Sequence, residues 1–321
     1  MAKTVIQIIE SASDLVTPYE ATRAGFVSMA LEKNVLASPF VEQAKMLKVL
    51  ASKANTAKEL LQISELREGL LTASGLSDKA LNHLSDMDKQ NAINNLVERF
   101  LEPAGASFVD ELVYRFLIVR GDTLGGKARN LAGAIGEQKF LRAMISAFHL
   151  AGIEYQWLDR DTWKWNKPTD RPNIERQIKA FHWAKEHERA MYMNLKIPFV
   201  TQEGKSVDII ILHGNMKDTV RGTHSVLKTR EKYIALGELK AGIDPAGADE
   251  HWKTADTALK RIRASFDSTN CNPHTFFIGA AIEKAMANEI YAQIQSGMLS
   301  CAVNLTDEKQ LTWICSWVIN L

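Results

Sequence analysis

The sequence predicts two parts of different class. Residues 1–120 read as an N-terminal all-helical domain, and residues 121–321 as an α/β (α+β) domain with helices flanking a mixed central sheet. Three observations carry this. Apolar residues in the first third recur at helical spacing, with almost no strand-like run. The composition changes after Arg120, where Gly121-Asp122-Thr123-Leu124-Gly125-Gly126 reads as a loop. Beyond that point, aliphatic runs such as Ile209-Ile210-Ile211-Leu212 alternate with amphipathic helical segments.

In the first part, Pro18 starts a helix that runs to Leu36. Further helices follow over Glu42–Ala54, Ala57–Ile63 and Asp86–Leu101, the last stopped by Pro103-Ala104-Gly105. Between them, residues 66–84 have a helix–turn–helix rhythm. Gly75 ends one helix and Ser77 caps the next, with Lys79 in its first turn. Such a helix can enter a major groove, although an ordinary helical hairpin has the same rhythm.

In the second part, Lys127–Ala151 is a helix with Leu131, Ile135, Phe140, Met144, Ile145 and Phe148 on its apolar face. Tyr155-Gln156-Trp157-Leu158, a polar Trp-containing loop and a helix over Ile174–His187 come next. Strands are expected over Met191–Val200, Ser206–Leu212 and Lys232–Lys240, then a helix over Ala248–Ser265. A buried strand over Phe276–Ala281, a helix over Ile282–Met298 and strands at Cys301–Leu305 and Leu311–Ile319 complete the chain.

The 321 residues are 46% apolar and 24% charged, which supports a packed core. The net charge of +1 leaves nucleic acid open, because binding depends on local patches. The three cysteines, Cys271, Cys301 and Cys315, form no C-x-x-C pair, which argues against a disulfide framework or a zinc site. Met1 to Gln7 lack a signal-peptide pattern, and the longest apolar runs are too short to span a bilayer. The expectation is a cytoplasmic protein with no membrane partner.

The chemistry concentrates at Gly237-Glu238-Leu239-Lys240. Residues two apart on a strand share a face, so Glu238 and Lys240 project together. Asp208 lies in the aliphatic strand Ser206-Val207-Asp208-Ile209-Ile210, where an unpaired carboxylate is costly. Two carboxylates on neighbouring strands suit Mg²⁺, which takes one or two carboxylates plus water and phosphate. Asp208 and Glu238 would bind the metal, while Lys240 would orient the attacking water and offset phosphate charge. That is the pattern of a Mg²⁺-dependent nuclease. A solvated pair on an edge strand is the plainer explanation of Glu-x-Lys alone. The aliphatic run Tyr233-Ile234-Ala235-Leu236 and Gly237, which permits close approach by backbone or phosphate, favour the site.

The block from Gly237 to Thr254, which continues Ala241-Gly242-Ile243-Asp244-Pro245-Ala246-Gly247-Ala248-Asp249-Glu250-His251-Trp252-Lys253, resembles type II restriction endonucleases of the AvaI/BsoBI group, within the PD-(D/E)xK nuclease superfamily. Arg120 to Asn130 also looks like restriction enzymes of this kind. The resemblance implies a restriction-endonuclease-like core beside a helical domain, acting as a homodimer on duplex DNA with Mg²⁺. It further implies a prokaryotic cytoplasm, the degenerate palindrome CYCGRG as target, and a cognate methyltransferase in the host. Glu238 and Lys240 match the family's Glu-x-Lys pair, and His251 matches a histidine near the scissile phosphate. Asp244 and Lys79 match base-contacting residues. Asp208 takes the place of the first carboxylate, with Val207 where the superfamily's name has proline. Asp218, in loop-like surroundings, is the alternative.

Each assignment has a physical case. An aspartate accepts from cytosine N4 and a lysine donates to guanine O6 and N7, although Asp244-Pro245 is also a common turn. A histidine such as His251 can act as general base, or can simply sit on a helix surface. Lys253, Arg261 and Arg263 are phosphate-contact candidates on one helix, as are Lys217, Arg221, Lys228, Arg230 and Lys232 nearby; a solvated face explains them as simply. Glu137 could support the metal ligands or be an ordinary exposed glutamate, and Trp157, Trp163, Trp165 and Trp183 read as core or loop anchors. Two other functions fit parts of the pattern: a repair or structure-specific nuclease of the same superfamily, and a non-catalytic helix–turn–helix regulator.

Overall fold

The computed structural model describes residues 8–267 and 271–321. The chain divides into two compact units, Val27–Leu131 and a larger one that joins the residues up to Phe26 to Ala132–Leu321. The boundary expected near residue 120 therefore falls inside a helix.

The smaller unit is helical. It contains most of α1 (Tyr19–Ala51), then α2 (Arg67–Ala73), α3 (Asp78–Leu81), α4 (Asp86–Leu96) with a π turn over Val97–Leu101, and the first half of α5 (Phe108–Leu150). Leu47, Leu60, Leu66, Leu70, Ile93, Leu96, Leu101 and Leu112 form its core. The two helices expected on either side of Pro39 are one, because Pro39 lies inside α1. A helical proline costs about 3 kcal/mol. The cost is tolerated where Ala44, Leu47 and Ala51 bury the next turns. The expected loop at Gly121–Gly126 is likewise helical, within the 43 residues of α5. Gly121 and Gly125 are absent from the glycines with positive φ. Each costs roughly 1 kcal/mol in a helix, little against a helix anchored by buried Leu112 and Phe116 at one end and Phe140, Met144 and Phe148 at the other. Gly75 takes φ +90° and the Ser77 hydroxyl accepts from the Ala80 amide at 3.2 Å, as the turn requires. The helix that follows is a single turn of four residues.

The larger unit is built on one eight-stranded sheet of order β2-β1-β3-β4-β5-β6-β7-β8. The strands are β1 (Tyr155–Asp159), β2 (Trp165–Asn166), β3 (Ile178–Ala184), β4 (Glu188–Ile197), β5 (Lys205–His213), β6 (Tyr233–Lys240), β7 (His274–Gly279) and β8 (Cys301–Asn304). Pairing is antiparallel up to β5–β6 and parallel for β6–β7 and β7–β8. Helices α6 (Ala248–Ala264) and α7 (Lys284–Gln295) form the two parallel crossovers, and α8 (Glu308–Asn320) closes the chain. Trp252 of α6 lies 5.2 Å, centroid to centroid, from Phe277 of β7. The N-terminal segment belongs here. Leu15 is fully buried, Thr17 Oγ1 donates to the Ala280 carbonyl at 2.8 Å, and Asn304 Nδ2 donates to the Leu15 carbonyl at 2.9 Å.

The mixed sheet flanked by helices matches the predicted class, with two segment reversals. Ile174–His187, expected as a helix, contains strand β3, buried at Ile178, Ala180, Phe181, His182 and Trp183. A strand covered on both faces shows no clean alternation. Leu311–Ile319, expected as a strand, is helix α8. Leu311, Ile314, Cys315 and Val318 are buried at helical spacing, and the Asp307 carboxylate caps it by accepting from Lys309 and Gln310 amides at 2.8 and 3.0 Å. Among the described residues, no helix is long and apolar enough to cross a membrane.

Candidate active site

The site forms where β5 begins and β6 ends. The last rung between these strands pairs Ile209 with Gly237, so Asp208 and Glu238 stand opposite each other one step beyond it. The sheet hydrogen bonding does not stop there, because the Leu239 amide donates to Asp208 Oδ2 at 2.9 Å. Lys240 Nζ reaches both carboxylates, at 3.1 Å from Asp208 Oδ2 and 2.7 Å from Glu238 Oε2. Three residues read from sequence alone thus meet in one hydrogen-bonded cluster.

Gly237 is required by its neighbour across the parallel pair. A Cβ there would fall 2.3 Å from the Phe276 ring. The close approach is made by an aromatic side chain rather than by the backbone or phosphate that the sequence suggested. It lets β6 pass over Phe276 so that Glu238, at 4% exposure, is buried against the sheet.

Burial shapes the electrostatics. It raises the Glu238 pKa, the negative charge of Asp208 raises it further, and Lys240 only partly opposes them, so the carboxyl is pushed up to about 7. Burial also disfavours the Lys240 ammonium, but Glu238 and Asp208 outweigh it and hold its pKa up. Two carboxylates share one cation, and the cluster lacks one positive charge when both are ionised. No group of three or more His, Cys, Asp or Glu among the described residues could hold a metal. The donor set here is two carboxylates, which fits Mg²⁺ completed by water and phosphate oxygens rather than an all-protein cage.

The other predicted residues are placed as follows. His251 is half-buried in the first turn of α6, with its ring over the chain just beyond β6: a Cβ on Gly242 would fall 2.5 Å from His251 Cε1. It makes no hydrogen bond among the described residues. Asp244 is exposed, and its Oδ1 accepts from the Ala246 amide at 3.0 Å, so the turn role is present. Lys79 is exposed on α3 of the helical unit. Lys253 is exposed and paired with Asp249 one turn earlier. Arg261 lies ten residues beyond His251 and Arg263 twelve, roughly 15 and 18 Å along the axis. Arg263 donates to the Met298 carbonyl at 3.3 Å and to Thr275 Oγ1 of β7 at 3.5 Å. These two arginines are therefore not gathered with Glu238. Asp218 closes its own turn by accepting from the Asn215 amide at 2.9 Å, and it is Asp208 that meets Lys240.

One participant in this region was not singled out from the sequence. Asn194 lies between the pairs Met193–Ile209 and Leu195–Val207, at the rung of Asp208, and takes φ +51° inside β4. Leu195 and Val207 share an apolar cluster with Tyr192 and Ile210, out of phase with strict alternation, which marks a bend of both strands here. The Asn194 side chain donates to Glu137 Oε2 at 2.6 Å. Glu137, whose side chain is 15% exposed and also pairs with Arg160, is not the ordinary exposed glutamate of the plainer reading. The only sequence signal was an asparagine, a residue tolerant of left-handed backbone, in the middle of an apolar strand.

The fold and the site define an α/β protein with a two-carboxylate, one-lysine centre on two interior strands of a mixed sheet. A family model described as restriction endonuclease BsobI matches residues 6–321. The type II restriction enzyme AvaI of Nostoc sp. is 49% identical over 315 residues, covering 98% of both chains, and that of Anabaena variabilis matches equally. The type II restriction enzyme BsoBI of Geobacillus stearothermophilus is 48% identical over 319 residues, covering 98% of this chain and 97% of its own. The chain belongs to the BsobI restriction endonuclease family. It is an enzyme, a type II site-specific deoxyribonuclease, and the resemblance drawn from the Glu238-to-His251 block holds over nearly its whole length.

Proposed function

We propose that this enzyme hydrolyses phosphodiester bonds of double-stranded DNA at a short G·C-rich palindrome, CYCGRG, using Mg²⁺ and a PD-(D/E)xK-type core. The observation that carries this reading is the contact of Lys240 Nζ with both Asp208 and Glu238. Asp208 and Glu238 would hold the Mg²⁺, which when bound supplies Lewis acidity and a water of lowered pKa. Lys240 keeps its proton, orients the attacking water and offsets the charge that builds on the phosphoryl oxygens. His251 would take the proton of that water, or hold the phosphate that the water attacks, and the oxygen that departs as the P–O bond breaks would be protonated by solvent.

Specificity is assigned to Asp244, which retains one carboxylate oxygen outside the turn and can accept from cytosine N4, and to Lys79, which can donate to guanine. The helical part, to about residue 120, serves recognition and the remainder cleavage. Lys253 is kept as a phosphate contact; Arg261 and Arg263, in the last turn of α6, would meet a phosphate farther along the backbone. A homodimer fits a palindromic target. It is also supported by α1, where Val27, Leu31 and Val35 are exposed on one stripe that a second copy would cover. The cytoplasm of a prokaryote is the setting, with a cognate methyltransferase that need not touch this chain.

Digestion of a sequenced plasmid with Mg²⁺ tests the proposal. Discrete fragments whose ends map to CYCGRG are expected. A smear would point to a structure-specific nuclease, and no cutting in any divalent metal would remove the metal-site reading.

A further inference from the structure

At the same end of the sheet, Arg160 pairs with Glu137, Lys179 lies within reach of their charges, and Arg221 stacks on Trp163 in the turn that carries Arg160. Glu137 uses Oε1 for Arg160 and Oε2 for Asn194. Lys179 Nζ has a single described partner, the Asn194 carbonyl at 3.0 Å, and no carboxylate. Arg221 has no acidic partner among the described residues and lies over the Trp163 ring, 3.5 Å from its centroid. The cluster carries three positive charges and one negative.

This arrangement is uncomfortable without an anion. Lys179 is half-buried; burial disfavours its ammonium, Arg160 and Arg221 repel it, and Glu137 only partly compensates. A partly desolvated cation among like charges is costly unless a counter-charge completes it. The cluster is also held in place. Arg160 Nη2 donates to the Ile178 carbonyl at 2.9 Å, and stacking fixes the plane of Arg221. Trp163, at φ +56°, and Asn194, at φ +51°, are two of the three non-glycine residues with left-handed backbone among those described. Strain of this kind persists where surrounding structure imposes it, and it concentrates at functional sites.

We propose that Arg160, Lys179 and Arg221 form a phosphate site that grips the DNA backbone next to the scissile phosphate. The inference rests on the proposed role of Asp208, because Asn194 occupies the Asp208 rung and links the two sites. β3 lies two strands from β5, roughly 10 Å at the usual spacing, so a phosphate held there is distinct from the one being cut but belongs to the same stretch of backbone. A diester phosphate between Lys179 and Arg221 would satisfy both without base contacts. The site therefore adds affinity and register and no sequence preference.

The test is equilibrium binding of the full-length protein to a labelled CYCGRG duplex in EDTA, with salt varied from 50 to 200 mM. Loss of one phosphate contact lowers the slope of log K against log salt by about 0.9. Lys179→Gln with Arg221→Gln should therefore lose about 3.5-fold less affinity over that range than wild type does. Its preference for CYCGRG over a mismatched duplex should be unchanged. Lys185→Gln, on the other end of β3 where Lys185 holds Asn320, should behave as wild type. Arg221→Gln alone, at an exposed position, keeps the test valid if the double variant folds poorly. A wild-type slope in the variants, with only a lowered Tm, would show a purely structural cluster and overturn the inference. If wild type cuts DNA and the slope does not move, this site alone fails. If wild type neither binds nor cuts the duplex, the nuclease reading fails and this site with it.

Discussion

Replacing Glu238 by Gln tests the electrostatics of the site without touching its shape. The buried carboxyl is raised from an ordinary 4.5 to about 7 by burial and by Asp208. At about 1.4 kcal/mol per pH unit, that difference corresponds to about 3 kcal/mol. The sign follows from proton counts. Between pH 4.5 and 7 the folded protein keeps the Glu238 proton while the unfolded chain has lost it, so this residue makes stability fall as pH rises through that window. Gln resembles the protonated acid and lacks the decline. In EDTA, wild type and Glu238→Gln should have equal stability near pH 4, and the variant should be more stable at pH 8 by up to about 3 kcal/mol. For a unit of about 200 residues that is roughly 6–12 °C in Tm. Groups remote from the cluster cancel in the difference, which reports Glu238 together with its partners Asp208 and Lys240. Mg²⁺ should stabilise wild type by about 2.7 kcal/mol at one hundred times its dissociation constant, which nearly closes the gap, and by about 4.1 kcal/mol at one thousand times, which reverses the order, while leaving the variant unmoved. Differential scanning calorimetry across pH, with and without Mg²⁺, reads both effects. Parallel pH curves would refute the burial argument, and equal stabilisation by Mg²⁺ would refute Glu238 as a ligand.

Asp208→Asn should abolish cleavage and retain binding to the CYCGRG duplex in EDTA; retained cleavage would dismiss Asp208 as first carboxylate. His251→Ala should lower the single-turnover cleavage rate by about 10²–10⁴ if it accepts the proton, with affinity little changed, and a wild-type rate would remove it from the chemistry. Gly237→Ala drives a methyl to 2.3 Å from Phe276. Chemical denaturation should show a loss of about 1–3 kcal/mol, and an unchanged midpoint would mean that the ring yields freely.

The cluster of Asp208, Glu238 and Lys240 was more legible in the sequence than the secondary structure around it. Glu238 and Lys240 were legible because a strand fixes which residues share a face, and Asp208 because a carboxylate among isoleucines needs a partner. The run at 174–187 was misread because β3 is covered on both sides, which removes the alternation that marks a strand. The run at 311–319 was a different matter: its 3.6-residue spacing and the Asp307 cap were present, and its aromatic and β-branched content concealed them. The gap between Leu36 and Glu42 and the glycine-rich run Gly121–Gly126 read as breaks in the sequence, although burial on either side of Pro39, Gly121 and Gly125 exceeds their cost. The Glu137–Asn194 contact joins residues 57 positions apart through a bend that no local pattern encodes.

The connector from β6 to α6 has a consequence for how such an enzyme changes its target. The Ala280 amide donates to the Lys240 carbonyl at 2.8 Å, Gly242 lies against the His251 ring, and Asp244 caps its own turn. This short stretch has little slack. A substitution that moves Asp244 to greet a different base would tug on Lys240 and His251 as well. If Asp244 and Lys79 read bases as proposed, letters of the target taken from this connector would be bound to the cutting chemistry, and drift in specificity would have more freedom at Lys79, which is no part of the connector.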